Sequence, residues 1–238
     1  MIKTQPLPAT NNNTFPVIIV GSASFEQYVY FHWGPNPLEL LKDLLLPEGI
    51  NKKLLKITLT PRDIDISVKK GFLMEEIAHT ASKWIKNARS DYKPELGKTR
   101  IEKGEESTEN NIIIRRVLLL KDKPDPRAED IVYAVDLSQS NGVEDYNELE
   151  IRTHLLIQGV DRIIQSELKF TKLPPGMEER ALKAIARLYL LAALETVKPK
   201  LNQLSRGLLA GALRDIPYHD PVFDQFAQSL EGSPLYVF

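Results

Sequence analysis

The residues best suited to chemistry lie near the C-terminus, in the segment Tyr218-His219-Asp220, with Asp224 four residues later. An imidazole nitrogen and two carboxylates are ligand types that hold a divalent metal ion. One hypothesis is therefore a metal-dependent enzyme centred on His219. The alternative is a proline-flanked turn in which Asp220 and Asp224 cap a helix that begins near Val222, because aspartate is a favoured helix cap.

The rest of the sequence offers no further catalytic motif. His32, His79 and His154 do not pair at the spacing of metal ligands, and neither H-E-x-x-H nor G-x-S-x-G occurs. Phosphate-binding glycine patterns are also missing. The chain has no cysteine, which excludes thiol nucleophiles, disulfides and thiolate zinc sites. We therefore expect a non-enzymatic protein that uses no cofactor.

The charged residues are distributed unevenly along a chain whose formal net charge is only −1. Residues 50–103 carry thirteen lysines and arginines against seven acids, a balance of +6, and residues 122–150 carry two against nine, a balance of −7. Opposed blocks of this kind favour head-to-tail association with another copy, or steering toward a partner. The simpler interpretation is that both blocks are solvated faces.

The basic block also supports a hypothesis of single-stranded nucleic-acid binding. Lysine and arginine neutralise phosphates, and aromatic residues such as Trp84 and Tyr92 can stack on bases. Against this hypothesis, the aromatic strand pattern of RNA-recognition motifs is missing, and Trp84 falls on the apolar stripe of its helix. The candidate nucleic-acid-binding residues are Lys52, Lys53, Lys56, Lys69, Lys70, Lys86 and Arg89.

The most apolar segment is Ala181–Thr196, which carries only three charges in sixteen residues. A helix that is apolar nearly all round must be buried. The first interpretation is that it covers a sheet of the same chain. The second is that a protein partner or another copy shares it, because one sheet face cannot cover all its sides. The candidate partner-binding residues are Leu188, Leu190, Leu191 and Leu194.

A third interpretation of the C-terminal region is membrane contact, with Leu204–Ile216 as a weakly amphipathic segment. This segment lacks the basic polar face and the aromatic anchors of interfacial helices, so we do not expect a membrane partner. No uninterrupted apolar run reaches the length of a spanning helix, and the N-terminal residues do not resemble a signal peptide. These features favour a cytoplasmic location.

Hydrophobic periodicity and turn residues predict the elements that must position these groups. The predicted strands are Phe15–Ser24, Gln27–Trp33, Leu54–Thr60, Ile64–Lys69, Ile112–Lys121, Asp130–Leu137, Leu149–Ile157 and Arg162–Phe170. The predicted helices are Leu38–Leu46, Phe72–Arg89, a long helix opening at Met177, and Leu201–Ile216. Ser90–Asn111 is predicted to be a long exposed loop, and Pro217–Phe238 a strap on the surface.

These elements predict an α+β fold with a largely antiparallel sheet, helices on one face and a C-terminal helical hairpin. The order strand, helix, strand, strand, helix, strand in the first half is that of a ferredoxin-like domain; a single larger antiparallel sheet is the equal alternative. The predicted divisions are a flexible arm at 1–13, an α+β half at 14–121, and a meander with C-terminal helices at 122–238. The two halves either stand apart or share one domain.

The sequence as a whole predicts a cytoplasmic binding or assembly protein that acts through protein–protein contacts. The contacts are assigned to the apolar C-terminal helix and to the opposed charge blocks, with a protein partner or a homo-oligomer expected. Nucleic-acid binding through residues 50–103 is the alternative function, and a metal-dependent enzyme around His219 is the third.

Overall fold

The computed structural model describes residues 17–42, 45–61, 63–69, 71–88, 92–96, 100–103, 111–121, 131–140, 148–152, 155–217 and 220–232. The chain forms two compact units that interleave along the sequence. The sheet unit comprises Met1–Ala23 and Arg62–Ile157, and the helical unit comprises Ser24–Pro61 and Gln158–Phe238. The sequence-based division at residues 121 and 122 cuts instead through the middle of the sheet unit.

The sheet unit is built on an eight-stranded sheet whose spatial order is β3-β5-β6-β2-β1-β8-β7, with β4 also paired to β5. The strands are β1 (Val17–Val20), β2 (Asp63–Val68), β3 (Tyr92–Leu96), β4 (Arg100–Lys103), β5 (Asn111–Lys121), β6 (Ile131–Ser140), β7 (Glu148–Arg152) and β8 (Leu155–Gln158). β3 and β4 pair with the same edge of β5, one after the other. The predicted loop Ser90–Asn111 therefore contains two strands.

The sheet is mixed, which corrects the prediction of a largely antiparallel sheet. The antiparallel pairs are β1 with β2, β5 with β6, and β5 with β3 and β4 on its other edge. β2 runs parallel to β6, and β1 runs parallel to β8, where Ile19 pairs with Ile157. Parallel neighbours need long connections. The helix Met74–Ala88 and strands β3, β4 and β5 lie between β2 and β6 in the chain, and most of the sheet unit lies between β1 and β8.

The core of the sheet unit forms where helix α3 (Met74–Ala88) lies against the sheet. Met74 and Ala78, one helical turn apart, pack with Val68 of β2 and with Val135 and Leu137 of β6. The prediction of a helix over Phe72–Arg89 is confirmed, because α3 begins two residues later and ends one residue earlier.

A glycine makes the turn from strand β1 directly into helix α1 (Gly21–Trp33). Gly21 has a φ of +63°, a left-handed conformation that side chains disfavour. A Cβ atom built at Gly21 would lie only 2.6 Å from Asp65 Oδ2. The carboxylate of Asp65 can therefore come this close only because position 21 is a glycine. This approach places a negative charge at the positive end of α1, where it is electrostatically favourable.

Within the described residues, the helical unit contains most of α1 and six further helical segments. These are a 3-10 helix (Pro37–Leu41), α2 (Lys52–Thr58), α4 (Val160–Thr171), α5 (Glu178–Val197), α6 (Gln203–Arg214) and α7 (Pro221–Leu230). Asparagine and aspartate begin three of them, as expected for capping residues. The side chains of Asn51, Asn202 and Asp220 accept hydrogen bonds from backbone N–H groups in the first turn of α2, α6 and α7.

Three segments predicted as strands are helices, so the ferredoxin-like order of the first half does not arise as predicted. Gln27–Trp33 belongs to α1, Leu54–Thr60 overlaps α2, and Arg162–Phe170 lies within α4. In each case the buried residues recur at helical spacing: Phe25, Tyr28, Val29 and Trp33 in α1, for example. The α+β class, the long helix after Met177 and the helix after Leu201 are confirmed.

Candidate interaction surface

Helix α5 lies at the centre of the helical unit. Leu188, Leu190, Leu191 and Leu194 each have 0% of their surface exposed. Five elements of the same unit contact α5, namely the 3-10 helix, α2, α4, α6 and α7. Tyr189, on the same helix, packs edge-on against Phe226 of α7 with ring centroids 5.3 Å apart. Helices of the same chain therefore bury residues 184–186 and 188–195 of this segment.

This arrangement corrects the basis on which the four leucines were assigned to a partner. The assignment depended on the expectation that one sheet face could not cover all sides of the helix, which left its leucines available to a partner. A bundle of helices, rather than one sheet face, covers α5, and the leucines have no surface to offer. A contact surface for another protein must be sought elsewhere on the unit.

The exposed face of α6 has the properties of such a surface. Leu204 is 76% exposed, the highest value among the large hydrophobic residues that the structure describes as exposed. Gly207 and Gly211 follow it on the same side at helical spacing, and both are exposed. A shallow depression of about 740 Å³ beside them is lined by Asn202, Gln203, Leu204, Gly207 and Leu208. We call Leu204, Gly207, Leu208 and Gly211 the α6 face.

The two glycines of the α6 face have no explanation within the unit. A Cβ atom at Gly207 or Gly211 would meet nothing within 4 Å, so no neighbouring group requires the side chain to be absent. Glycine in a helix interior costs about 1 kcal/mol relative to alanine. Their joint effect is to leave the backbone of α6 accessible beside an exposed leucine, which allows another helix to approach closely.

The opposite face of α6 holds the helix firmly in the unit. Leu209, Ala210, Ala212 and Leu213 are buried, and α6 contacts α4, α5 and α7. At its C-terminal end, Arg214 forms a bidentate ion pair with Glu231, with both nitrogen–oxygen distances at 2.6 Å. The α6 face is therefore presented by a rigidly packed helix, which lowers the entropic cost of binding.

The candidate nucleic-acid-binding residues are divided between the two units. Lys52, Lys53 and Lys56 are exposed on α2 in the helical unit, and no ion pair involves them within the described parts of the chain. Lys69 belongs to the sheet unit, where its Nζ lies 3.0 Å from Glu148 Oε1. Of the remaining predicted residues, Lys70 and Arg89 lie outside the described residues, as does the side chain of Lys86.

The candidate metal site is only partly within the described residues, because Tyr218 and His219 lie outside them. Asp220 Oδ1 accepts a hydrogen bond from Val222 N and Oδ2 accepts one from Glu48 N, both at 2.8 Å. Both oxygens therefore serve the backbone, and the sequence-based alternative that Asp220 caps α7 is confirmed. In the described portions of the chain, no group of three or more metal-binding side chains converges.

A polar cluster ties the turn between α5 and α6 into the helical unit. Glu195 is fully buried, and its Oε2 accepts hydrogen bonds from Lys200 N at 2.6 Å and Leu201 N at 3.0 Å. Its Oε1 faces Arg206 Nε at 3.7 Å. Burial raises the pKa of the Glu195 carboxyl above its ordinary value, while the two backbone hydrogen bonds and Arg206 oppose that rise.

A second buried charge pair joins α4 to α5. Glu167 Oε1 accepts a hydrogen bond from Arg187 Nη1 at 2.9 Å, and the two side chains are only 4% and 15% exposed. The guanidinium of Arg187 also lies 5.8 Å from the centre of the Phe25 ring. Burial raises the pKa of the Glu167 carboxyl, and the charge of Arg187 acts against it. This pair has the character of a structural contact rather than of a catalytic site.

Comparison with known proteins does not assign this chain to a family. No family model matches the sequence. No curated protein matches it either.

The sequence contains a signal for the α6 face in the segment Leu204–Ile216, for which membrane contact was one interpretation. Gly207 and Gly211 lie four residues apart in this segment. None of the described helices combines the length and apolar character needed to cross a membrane. The glycine spacing, rather than the apolar character of the segment, indicates the exposed side of this helix.

Proposed function

We propose that this chain is a non-enzymatic assembly protein of the cytoplasm, and that it associates with a second copy of itself through the α6 face. The observation that carries the proposal is Leu204, 76% exposed and next to two exposed glycines in a well-packed helix. Large exposed apolar side chains beside a concave apolar surface are typical of protein contacts. The absence of a catalytic motif in the sequence supports a binding role.

The α6 face is suited to contact with a second copy because it carries both a projecting side chain, Leu204, and an open space at Gly207 that can receive one. Leu204 and Gly207 are three residues apart, about one helical turn. In a pair of antiparallel α6 helices related by a two-fold axis, Leu204 of each copy would lie over Gly207 of the other. Such self-complementary contacts are the commonest way in which soluble proteins form dimers.

Substitution of Leu204 by glutamate is expected to abolish self-association. The added charge would be buried without a partner at the centre of the contact, so the dissociation constant should rise at least about a hundredfold, equivalent to about 2.7 kcal/mol. Sedimentation-equilibrium measurements over a range of protein concentrations would give the mass and the dissociation constant. Far-UV circular dichroism would confirm that the variant remains folded.

Leu73→Glu provides a matched control, because Leu73 is also a largely exposed leucine, at 64%, but belongs to the sheet unit. It should leave the mass unchanged. The proposal is contradicted if the unaltered chain is monomeric throughout the concentration range. It is also contradicted if Leu204→Glu and Leu73→Glu associate equally well.

We propose single-stranded nucleic-acid binding as a second candidate function, on the basis of α2. Lys52, Lys53 and Lys56 are exposed on this short helix and have no acidic partner in the described residues. Lys52 and Lys56 are four residues apart and therefore lie on the same side. Three cations so placed can neutralise neighbouring phosphates. The other four candidate residues belong to the sheet unit, so this proposal concerns the three lysines of α2 alone.

Replacement of all three α2 lysines by glutamate is expected to abolish oligonucleotide binding. If the three side chains neutralise three phosphates, the binding constant of the unaltered protein should fall about fourfold for each doubling of the salt concentration. Fluorescence anisotropy with a labelled single-stranded oligonucleotide would measure both effects. The triple arginine variant is the matched control and should retain binding; no binding by the unaltered protein at low salt would refute this second function.

A further inference from the structure

His32 occupies an unusual position in the last turn of α1. Its ring packs against three aromatic neighbours, with centroid distances of 4.4 Å to Tyr28, 5.0 Å to Phe31 and 5.7 Å to Trp33. The Nε2 atom is buried and has no hydrogen-bond partner in the described part of the protein. The His32 residue itself is half-buried. A neutral imidazole can occupy such a site at modest cost, whereas an imidazolium would leave a charged N–H group at Nε2 without a hydrogen-bond acceptor.

The same turn of α1 holds the connection between α5 and α6. Trp33 Nε1 donates a 2.9 Å hydrogen bond to the carbonyl oxygen of Lys198. Two residues further on, Lys200 places a positive charge close enough to act on His32. From the other side, Glu195 accepts hydrogen bonds from the N–H groups of Lys200 and Leu201. The connection is therefore held both by Trp33 of α1 and by Glu195 of α5.

We propose that His32 is a proton-operated latch on the connection between α5 and α6. In the neutral form, its ring completes the aromatic cluster around Trp33 and keeps the indole on Lys198. When His32 takes up a proton, the imidazolium lies against aromatic rings, with its Nε2 buried, and is repelled by the like charge of Lys200. The ring then moves toward water, and the aromatic packing that holds the Trp33 indole in place is lost.

The carboxylates that act on Tyr28, the ring neighbour of His32, are engaged by other groups. They are Glu195 of α5 and Asp161 of α4, and after burial both raise the pKa of Tyr28. Glu195 is committed to two backbone N–H groups and faces Arg206 of α6. Asp161 accepts a hydrogen bond of 2.5 Å from Ser205 Oγ. The positive charge on His32 would therefore meet Lys200 without a compensating partner.

The pKa shifts agree with the direction of the latch. Burial, and then the charge of Lys200, lower the pKa of His32 below its ordinary value of 6.5. The stability that neutral His32 gives the closed form is present above pH 6.5 and is lost as the pH falls through this lowered pKa. Glu195 acts in the opposite sense, because burial raises its pKa above 4.5 and the folded state binds that proton more tightly. Global stability therefore mixes two opposed effects, and the latch has to be observed locally.

The fluorescence of Trp33 gives a local signal. The chain has two tryptophans, so a Trp84→Phe background leaves Trp33 as the single emitter. Trp33 is 5% exposed, and its emission should move to longer wavelength as the indole loses its packing and meets water. On titration from about pH 8 to about pH 5, we expect a reversible shift whose midpoint lies below the ordinary histidine value.

Two variants in this background test whether His32 causes the shift. His32→Phe keeps an aromatic ring but cannot bind a proton, and its emission should stay constant over the titration. His79→Phe changes an exposed histidine of the sheet unit and should retain the shift. A shift that persists in His32→Phe overturns the proposal, as does the absence of any shift in the background protein.

A second measurement applies if His32→Phe fails to fold. The proton NMR signal of the His32 ring, followed against pH in the unaltered chain, gives its pKa directly. A pKa at or above 6.5 overturns the latch, and a lower pKa accompanied by a shift of the Trp33 resonances supports it. Both experiments can be repeated on Leu204→Glu, which is expected not to self-associate. The same pH response in that variant would show that the latch does not depend on contact through the α6 face.

Discussion

Substitution of Leu190 by alanine is expected to destabilise the helical unit by about 2–5 kcal/mol. Leu190 lies in the middle of α5 and is completely buried, with buried neighbours on both sides along the helix. The substitution removes apolar surface from the core and leaves a cavity that the surrounding helices can fill only in part, because packed interiors relax little. Urea denaturation followed by far-UV circular dichroism would measure the loss of unfolding free energy.

Leu73→Ala is the matched control for this prediction. It makes the same chemical change at a leucine that is 64% exposed, and it should alter the unfolding free energy by less than about 0.5 kcal/mol. If Leu190→Ala cost no more than Leu73→Ala, α5 would not be enclosed by its own chain. The original assignment of its leucines to a partner would then regain its basis.

The prediction for Leu190 depends on a distinction that the sequence could not make. The composition of Ala181–Thr196 correctly predicts a buried helix, because few polar residues are available for a solvated face. It does not specify what covers the helix. Two of the covering helices, α2 and α4, were predicted as strands, and residues 217–238, which contain α7, were predicted as a surface strap. Only the predicted helix Leu201–Ile216 and a sheet therefore remained to cover the segment. The apparent surplus of apolar surface came from these missing helices.

The helices missed from the sequence share physical features that resemble those of strands. α2 is only seven residues long, too short for helical and alternating patterns to differ clearly. α1 contains Tyr28, Val29, Tyr30 and Phe31 in succession, residue types enriched in strands. Tertiary packing overrides these preferences, because buried Phe25, Tyr28 and Val29 recur at helical spacing. The N-cap Asn51 was the available local signal for α2.

The interleaved units could not be predicted from the order of elements alone. The sheet unit closes through the parallel pairing of Ile19 in β1 with Ile157 in β8, residues separated by most of the sheet unit and one long helical excursion. Hydrophobic patterns identify β1 and β8 as strands but carry no information on which strand pairs with which. For the same reason, the basic block over residues 50–103 is continuous in sequence but divided between two units.

The sequence predicts a contact surface on the leucines of α5, whereas those leucines are buried and Leu204 of α6 is exposed. Exposure of Leu204 depends on which side of α6 faces α4, α5 and α7, and this is a tertiary property. The four-residue spacing of Gly207 and Gly211 is visible in the sequence. It becomes informative once both positions are known to be unpacked.

Removal of either partner of the buried Glu167–Arg187 pair is expected to destabilise the helical unit by roughly 3–5 kcal/mol. The two charges are almost fully withdrawn from water, and their 2.9 Å hydrogen bond joins α4 to α5. Glu167→Ala leaves a guanidinium buried next to Phe25, and Arg187→Ala leaves a carboxylate buried with its charge unbalanced. Each single variant therefore suffers a desolvation cost that the pair avoids.

The double variant Glu167→Ala with Arg187→Ala distinguishes this cost from simple loss of packing. Once both charges are gone, no isolated charge remains, so the double variant should be less destabilised than the sum of the two single variants. A positive coupling energy from urea denaturation of all four proteins would establish the interaction. Additive effects would show that the side chains contribute through packing alone.

The exposed pair Arg214–Glu231 provides the internal comparison for the buried pair. Its two hydrogen bonds, at 2.6 Å, are shorter than the one between Arg187 and Glu167, yet its side chains are 43% and 46% exposed. Water and salt screen an exposed pair, and each charge remains solvated when its partner is removed. The same double-mutant cycle should therefore give a clearly smaller coupling for Arg214–Glu231. If the shorter exposed pair coupled more strongly than the buried one, distance rather than burial would determine the strength of these contacts.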